Sequence, residues 1–572
     1  MKYFTKTINL IVVLIIVFCI GSKTFSKETS IKYSQENISN YFSGIVSLSK
    51  NETTASFKYL NKVRFLGKVH SNYNSHYIRS LILLEKFDEA FEFSKEIWKE
   101  EEFFFEADLL LGINSFLEKD YRKAKKYFKR LNITSEHNYL FEDFFGNILI
   151  SWVNASENNL EESFKFFDKI PQRYSRLKNI QNSLLQCFFK TPQTEVAFKK
   201  VIGNKETGFS RYNFFLANYF ISKNEIKSAE LLLEKSSGIY DSNLLLKQAN
   251  IFIKNKDHKK IKFFFDCKSV KHNIAEIFYI IANLYSTQDD YQLSNFYLRI
   301  SLFLNDQFTP NKTLLAENFF FQKNYKIAKK IYKSVKNIGS VYSWHAAKSI
   351  SVILLDTEGE EKSLINLEKE INNLKNPDFE KYFEIANFYK DNENYEKSIK
   401  YYSIALKKIN DNHHLLPKIL YRRGASYERM GDWDKAEKDL EKSLKILPDQ
   451  PHVLNYLAYS WIEKRINLDK SLEMLQFANN IKKNDGYIID SLGWAHYIKK
   501  NYIDAEKFLR QAVELMPTDP IVNDHYADAL WMLNKNIQAR YFWKYVLSLD
   551  RVEKELKDNI NKKLIFGVTK KL

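Results

Sequence analysis

Residues 417–448 read PKILYRRGASYERMGDWDKAEKDLEKSLKILP. Leu420, Gly424 and Tyr427 share one helical stripe, and beyond Gly431-Asp432 a second stripe carries Ala436, Leu440, Ser443 and Leu444. Three- and four-residue spacing of this kind predicts two amphipathic helices of about twelve residues joined by a turn. Gly424 and Ala436 are small enough to let the two backbones approach, while Trp433 fills the wedge beside the turn. The unit is a helical hairpin, closed by Pro448.

The same unit recurs on either side. Gly424, Ala458, Gly493 and Ala527 are separated by 34, 35 and 34 residues, and each is followed by a second small residue: Ala436, Ser471, Ala505 and Ala539. Upstream, Ala386 pairs with Ser398, Ala316 with Ala328, Ala282 with Ser294, Ala217 with Ala229, and Gly112 with Ala124. Fainter units fall near Ser43, Ile78, Ser151, Leu185, Ala249 and Ser351, for about fifteen in all. Such a period marks stacked repeats, in which each hairpin buries its apolar face on its neighbours. With 15 Gly and 9 Pro in 572 residues there is little room for linkers, and Pro417, Pro448, Pro451, Pro517 and Pro520 stand where helices start or stop. A seam is expected near 370–380, where Asn372-Asn373 and Asn376-Pro377 precede the better repeats.

Gly424, Tyr427, Ala436 and Pro448, and downstream Leu492, Gly493, Tyr502, Ala505, Ala512 and Pro517, resemble the tetratricopeptide repeat, a 34-residue helix–turn–helix unit. His496 and Leu530 stand where that pattern has Tyr. The resemblance implies an all-α, right-handed superhelical solenoid, with divergent repeats over 27–375, well-matched repeats over 376–550 and a charged capping helix at 551–572. It also implies that the first helix of each hairpin lines a concave groove. Carried onto this chain, the groove positions are Tyr421 and Glu428, then Asn455, Tyr459 and Ile462, then Tyr487, Asp490, Trp494 and Tyr497, then Asp524, Asp528 and Trp531. Aromatics mixed with carboxylates suit an extended peptide bearing apolar or basic side chains. The same aromatics could instead pack between neighbouring hairpins. The cationic set with which some members of this family hold a C-terminal carboxylate is absent, since Tyr421, Ala425 and Tyr456 occupy those places.

At the N-terminus Lys2 and Lys6 precede an apolar run from Leu10 to Ile20, followed by Gly21, Ser22 and Ser26. That is the layout of a secretory signal peptide over residues 1–26, and the run is short for a membrane-spanning helix. Phe18 ahead of Cys19 does not fit a lipoprotein cleavage site. The expected location is therefore periplasmic, with peripheral attachment to anionic lipid left open. Removing Lys2, Lys6 and Lys23 lowers the net charge from +17 to +14, spread without a basic block, which argues against nucleic acid as a partner. Cys187 and Cys267 lie in repeats that are not neighbours, so two buried thiols are expected rather than a bridge.

Catalytic signatures are missing. There is no HExxH, Walker-type, GxGxxG or GxSxG motif, and His413-His414 sits in a loop, unable to present two ligands from one helix face. No cofactor or metal is expected. The sequence thus predicts a non-enzymatic scaffold of the bacterial cell envelope that binds a protein partner in the groove. Two alternatives stay open: a carbohydrate- or exopolysaccharide-export role resting on Trp494 and Trp531, and a glycosyltransferase, which would require an α/β domain.

Overall fold

The computed structural model describes residues 33–568 apart from 134–141, 204–209, 240–242, 375 and 551. The expected signal peptide lies outside the described residues. Every described element is helical, and the helices alternate as first (A) and second (B) members of hairpins.

The turn between A and B repeats with the sequence period. A residue in the left-handed region ends each A helix at Asn51, Glu85, Lys119, Asn158, Lys190, Asn224, Lys256, Asp289, Lys323, Gly359, Glu393, Gly431, Arg465, Lys500 and Asn534. At most of these positions the next amide bonds back to the carbonyl five residues earlier. Examples are Asp120 to Ser115 (2.9 Å), Asn324 to Phe319 (2.8 Å), Asp432 to Tyr427 (2.9 Å) and Asn501 to His496 (2.8 Å). This pattern satisfies carbonyls left free at a helix end. In the clearest repeats the turn falls seven residues after the small residue of helix A. The faint upstream units therefore carry the same turn chemistry as the clear ones.

The small residues mark the closest approach of A and B. A Cβ on Gly493 would lie 2.6 Å from Leu509 Cγ, and one on Gly424 would lie 3.1 Å from the Ala436 carbonyl. A Cβ on Gly112 would overlap the Phe128 ring. Ala436, Ala458, Ser471, Ala505, Ala527 and Ala539 are fully buried. Pro417, Pro451 and Pro520 sit in the first turn of A helices, where no intrahelical donor is lost.

The chain divides into two units, 1–353 and 354–572, with the division inside the helix Ser340–Glu358 and ahead of the Asn-rich seam. In the first unit the hairpins run from Gln35–Ser49/Thr53–Lys62 to Thr309–Phe321/Tyr325–Val335. Its superhelix turns tightly enough for distant hairpins to touch. The Gln292 amide donates to the Leu48 carbonyl (2.5 Å), Gln322 donates to Asn51 (2.8 Å), and Arg299 pairs with Glu85. Phe87 stacks on Phe303 with centroids 4.0 Å apart, and Phe145 meets both Phe278 and Tyr297. The cause is visible in the A helices. In Phe145–Ser156 every residue from Phe145 to Ala155 is buried, so the groove side is as dry as the hairpin side.

This curvature corrects the expectation for the cysteines. Cys187, near the end of the A helix Ser175–Phe189, and Cys267, in the link before Val270–Ser286, form a disulfide with Cα atoms 6.0 Å apart. Straight stacking, in which each repeat touches only its neighbours, would keep them apart; the closed turn brings them together.

The second unit stacks five clear hairpins, Phe379–Asp391/Tyr395–Lys408, Leu416–Arg429/Trp433–Ile446, Pro451–Glu463/Leu468–Ile481, Gly486–Ile498/Tyr502–Leu515 and Pro520–Met532/Asn536–Ser548. The helix Lys554–Phe566 closes the end, with Ile560 fully buried against the core around Trp543 and Val546.

Candidate binding groove

The A helices of the second unit place side chains from successive hairpins side by side, because residues one repeat apart occupy equivalent positions. Between Leu416–Arg429 and Pro520–Met532 they enclose a groove of about 430 Å³ lined by Glu428, Arg429, Asn455, Tyr456, Tyr459, Ser460, Tyr487, Asp490, Ser491, Asp519, Ile521 and Val522. Tyr487 is 60% exposed, and the Arg429 side chain is similarly open. Tyr456 donates its hydroxyl to Glu428 (2.9 Å) and packs edge-on against Tyr421. Burial pushes the Tyr459 phenol well above its ordinary range, with Glu463 and Asp490 adding to the effect, so it remains a neutral donor. The side-chain oxygen of Asn455 is enclosed without a protein partner.

Of the twelve residues carried over by position, Glu428, Asn455, Tyr459, Tyr487 and Asp490 line this groove, and Ile462 is buried in the hairpin core. Tyr421 lies one hairpin back behind Tyr456. The other five meet one another or the chain's own tail. Trp494 is sandwiched between His525 (centroids 4.0 Å) and Tyr497 (4.5 Å), both rings nearly parallel to it, and its Nε1 donates to Glu463 (2.6 Å). His525 Nδ1 lies 3.0 Å from Asp490. Burial alone would lower the His525 pKa, but the Asp490 carboxylate, helped by Asp524 and Asp528, holds it above the ordinary value.

Asp524 and Asp528 are both buried, and both take Lys563 Nζ at 2.8 Å. Burial, reinforced by the Asp524 charge, raises the Asp528 carboxyl to about 6 against the opposing pull of Lys563. Trp531 packs on Trp543 and against Gly567. Both tryptophans on which a glycan-handling groove would rest are thus half-buried and packed against side chains of the chain itself.

Position within the repeat gives no reason to single out several side chains found beside these positions. Lys563 lies outside the period altogether. His525 sits one residue past a groove position, where the pattern gives no reason to look. Arg429 follows a groove position at the end of its A helix, and Asp519 caps the start of Pro520–Met532. Among the described residues no three His, Cys, Asp or Glu side chains gather to hold a metal ion, and no helix is long and apolar enough to cross a membrane.

Residues 379–449 match the family model described as tetratricopeptide repeat. Over 99 residues the chain is 32% identical to a TPR repeat-containing protein of Pseudomonas aeruginosa, covering 17% of each. Over 117 residues it is 25% identical to a protein O-mannosyl-transferase of Homo sapiens, covering 20% of this chain and 13% of that one. The chain therefore spans less than a fifth of the length of either relative. Among solved structures it is similar to a thermophilic TPR protein of Thermus thermophilus, at 16% identity and a TM-score of 0.29, covering 33% of this chain and 99% of that one. A tetratricopeptide repeat protein of Parabacteroides merdae gives 17% identity and a TM-score of 0.34, covering 39% and 88%. The repeated hairpin, its buried small residues and the direct match over 379–449 lead to one conclusion: that segment carries tetratricopeptide repeats, in a chain whose described elements are all helical.

Proposed function

We propose that this chain is a non-enzymatic protein–protein interaction scaffold of the bacterial cell envelope, exported to the periplasm, which holds a partner segment in the groove of its second unit. The observation that carries this reading is the open groove between Glu428 and Val522. It offers an exposed tyrosine at Tyr487, a half-buried neutral phenol donor at Tyr459, carboxylates at Glu428 and Asp519, and one cation at Arg429. Rigid aromatic anchors ringed by polar groups are the composition of binding hot spots. Export is supported by the N-terminal residue pattern and by the Cys187–Cys267 bridge, since disulfides persist in oxidising compartments.

The test is an affinity capture from envelope extract with the full chain and with Arg429→Ala/Tyr487→Ala. Both residues are exposed, so the double variant keeps its fold. Proteins captured by the wild type and lost with the variant are the expected result; equal capture by both would overturn the groove assignment. Export is tested separately by fractionation: a periplasmic protein lacking residues 1–26 is expected, and a cytosolic one with reduced cysteines would contradict it.

A further inference from the structure

The helix Lys554–Phe566 does more than close the solenoid. A cap needs an apolar inner face and a polar outer one, and Leu556, Ile560 and Leu564 supply the inner face against the last hairpin. Capping gives no reason for what the end of the same helix does. There Lys563 reaches onto the A helix Pro520–Met532 and places its ammonium between Asp524 and Asp528, one turn apart, at 2.8–2.9 Å. Immediately after it, Gly567 at φ +72° lies so close to the Trp531 ring that any Cβ would overlap it. Asp524, Asp528 and Trp531 occupy groove positions of the repeat.

Asp528 has a second partner besides the lysine. Trp543 Nε1, from the hairpin's own second helix, donates to Asp528 (3.2 Å). Isolated buried carboxylates are costly, so this pair requires a cation, and the tail delivers one as a side chain from a helix.

We propose that residues 554–568 are an intramolecular occupant of the acidic end of the groove, and that the partner segment fitting this end is a lysine-bearing amphipathic helix that takes their place. This deepens the groove reading above and rests on it. The exchange is balanced in kind: an incoming helix would supply an apolar face where Ile560 lies and an ammonium where Lys563 lies. The tail therefore sets a threshold that a partner lacking the lysine does not pass.

The probe is a fluorescent synthetic peptide of residues 552–568, added to the full-length chain as wild type, Lys563→Gln and Lys563→Arg. The peptide is expected to bind Lys563→Gln at least tenfold more tightly than wild type, and a peptide carrying Gln at the lysine position is expected to lose that gain. Hydrogen exchange should quicken over 554–566 in Lys563→Gln, stay near wild type in Lys563→Arg, and remain unchanged over 416–515 in both. Two results would overturn the proposal. One is equal peptide binding with unchanged exchange, which makes the helix a plain cap; the other is exchange rising throughout 520–548, which makes the lysine a structural staple. Either failure, alongside capture that still depends on Arg429 and Tyr487, would remove the tail's role and leave the groove assignment standing.

Discussion

The two units are built from one hairpin and differ in where its groove side stays open. In the first, A helices such as Phe145–Ser156 and Tyr212–Ser222 are apolar on nearly every face, and the groove side is filled by the unit's own rings. In the second, Leu416–Arg429 and Pro451–Glu463 bury one stripe and leave the groove side half-open, whereas Gly486–Ile498 and Pro520–Met532 are again buried over most of their length. The lesson is that a repeat does not decide whether its groove is free. What decides it is the second face of helix A, which the hairpin itself does not need.

The comparison can be broken most forcefully at the buried ion pair of the first unit. Arg211 and Glu276 meet at 2.6 Å with Tyr212 donating to the same carboxylate, and the Glu276 side chain has no exposure. Replacing Glu276 by Ala strands the Arg211 guanidinium among Tyr279 and Phe308, at a cost of about 3–5 kcal/mol. Denaturant unfolding followed by hydrogen exchange should show the first unit opening earlier while exchange over 416–515 is unchanged.

The disulfide should come next. Cys187→Ser/Cys267→Ser, or reduction, is expected to cost the first unit about 2–4 kcal/mol by releasing a long loop in the unfolded chain. A smaller effect, common to both units, is expected where the hairpins are closest. Gly493→Ala must displace Leu509, and Gly112→Ala must displace Phe128, each for about 1–3 kcal/mol. Equal losses measured by chemical denaturation would show that the hairpin joint is the same in both units. A cost confined to Gly493 would mean that the divergent repeats are jointed differently.

The smallest effect concerns pH and belongs to the second unit. His525 faces Asp490, Asp524 and Asp528, and its folded pKa lies above the ordinary value. A raised histidine stabilises the fold fully below its unfolded pKa of about 6.5, and the contribution is lost as pH climbs through the folded value. Exchange over 486–532 should therefore quicken as pH rises above about 6.5, after correction for intrinsic rates. His525→Gln should flatten that dependence.

Much of this was legible in the sequence. The period of small residues at Gly424, Ala458, Gly493 and Ala527 located each hairpin joint, and the left-handed turns extend the same count to Asn51. The closure of the first unit was harder to see, although GNILISWVNA at 146–155 carries no charge, and of its polar stripe, Asn147, Ser151 and Asn154, the last two donate to carbonyls of the hairpin's own second helix. Missing that signal made the cysteines look too far apart. At the candidate groove, Glu428, Asn455, Tyr459, Tyr487 and Asp490, named from repeat position, share one pocket. Repeat position could not show that Trp494 spends its faces on His525 and Tyr497, or that Lys563 answers Asp524 and Asp528. Those contacts depend on neighbours one repeat on or beyond the last repeat, and a periodic pattern treats every unit alike.

The open groove between Glu428 and Val522 in the second unit is where a partner is expected, while the first unit is closed on its own rings around Tyr297. The most direct measurement of that contrast is photo-crosslinking in living cells, with a photoreactive phenylalanine analogue placed at Tyr487 in one chain and at Tyr297 in another. Tyr487 faces the open groove; Tyr297 is buried among Phe145, Phe278 and Tyr285. Discrete protein adducts from position 487 and none from 297 are expected. Adducts from 297, with none from 487, would contradict the division of labour between the two units.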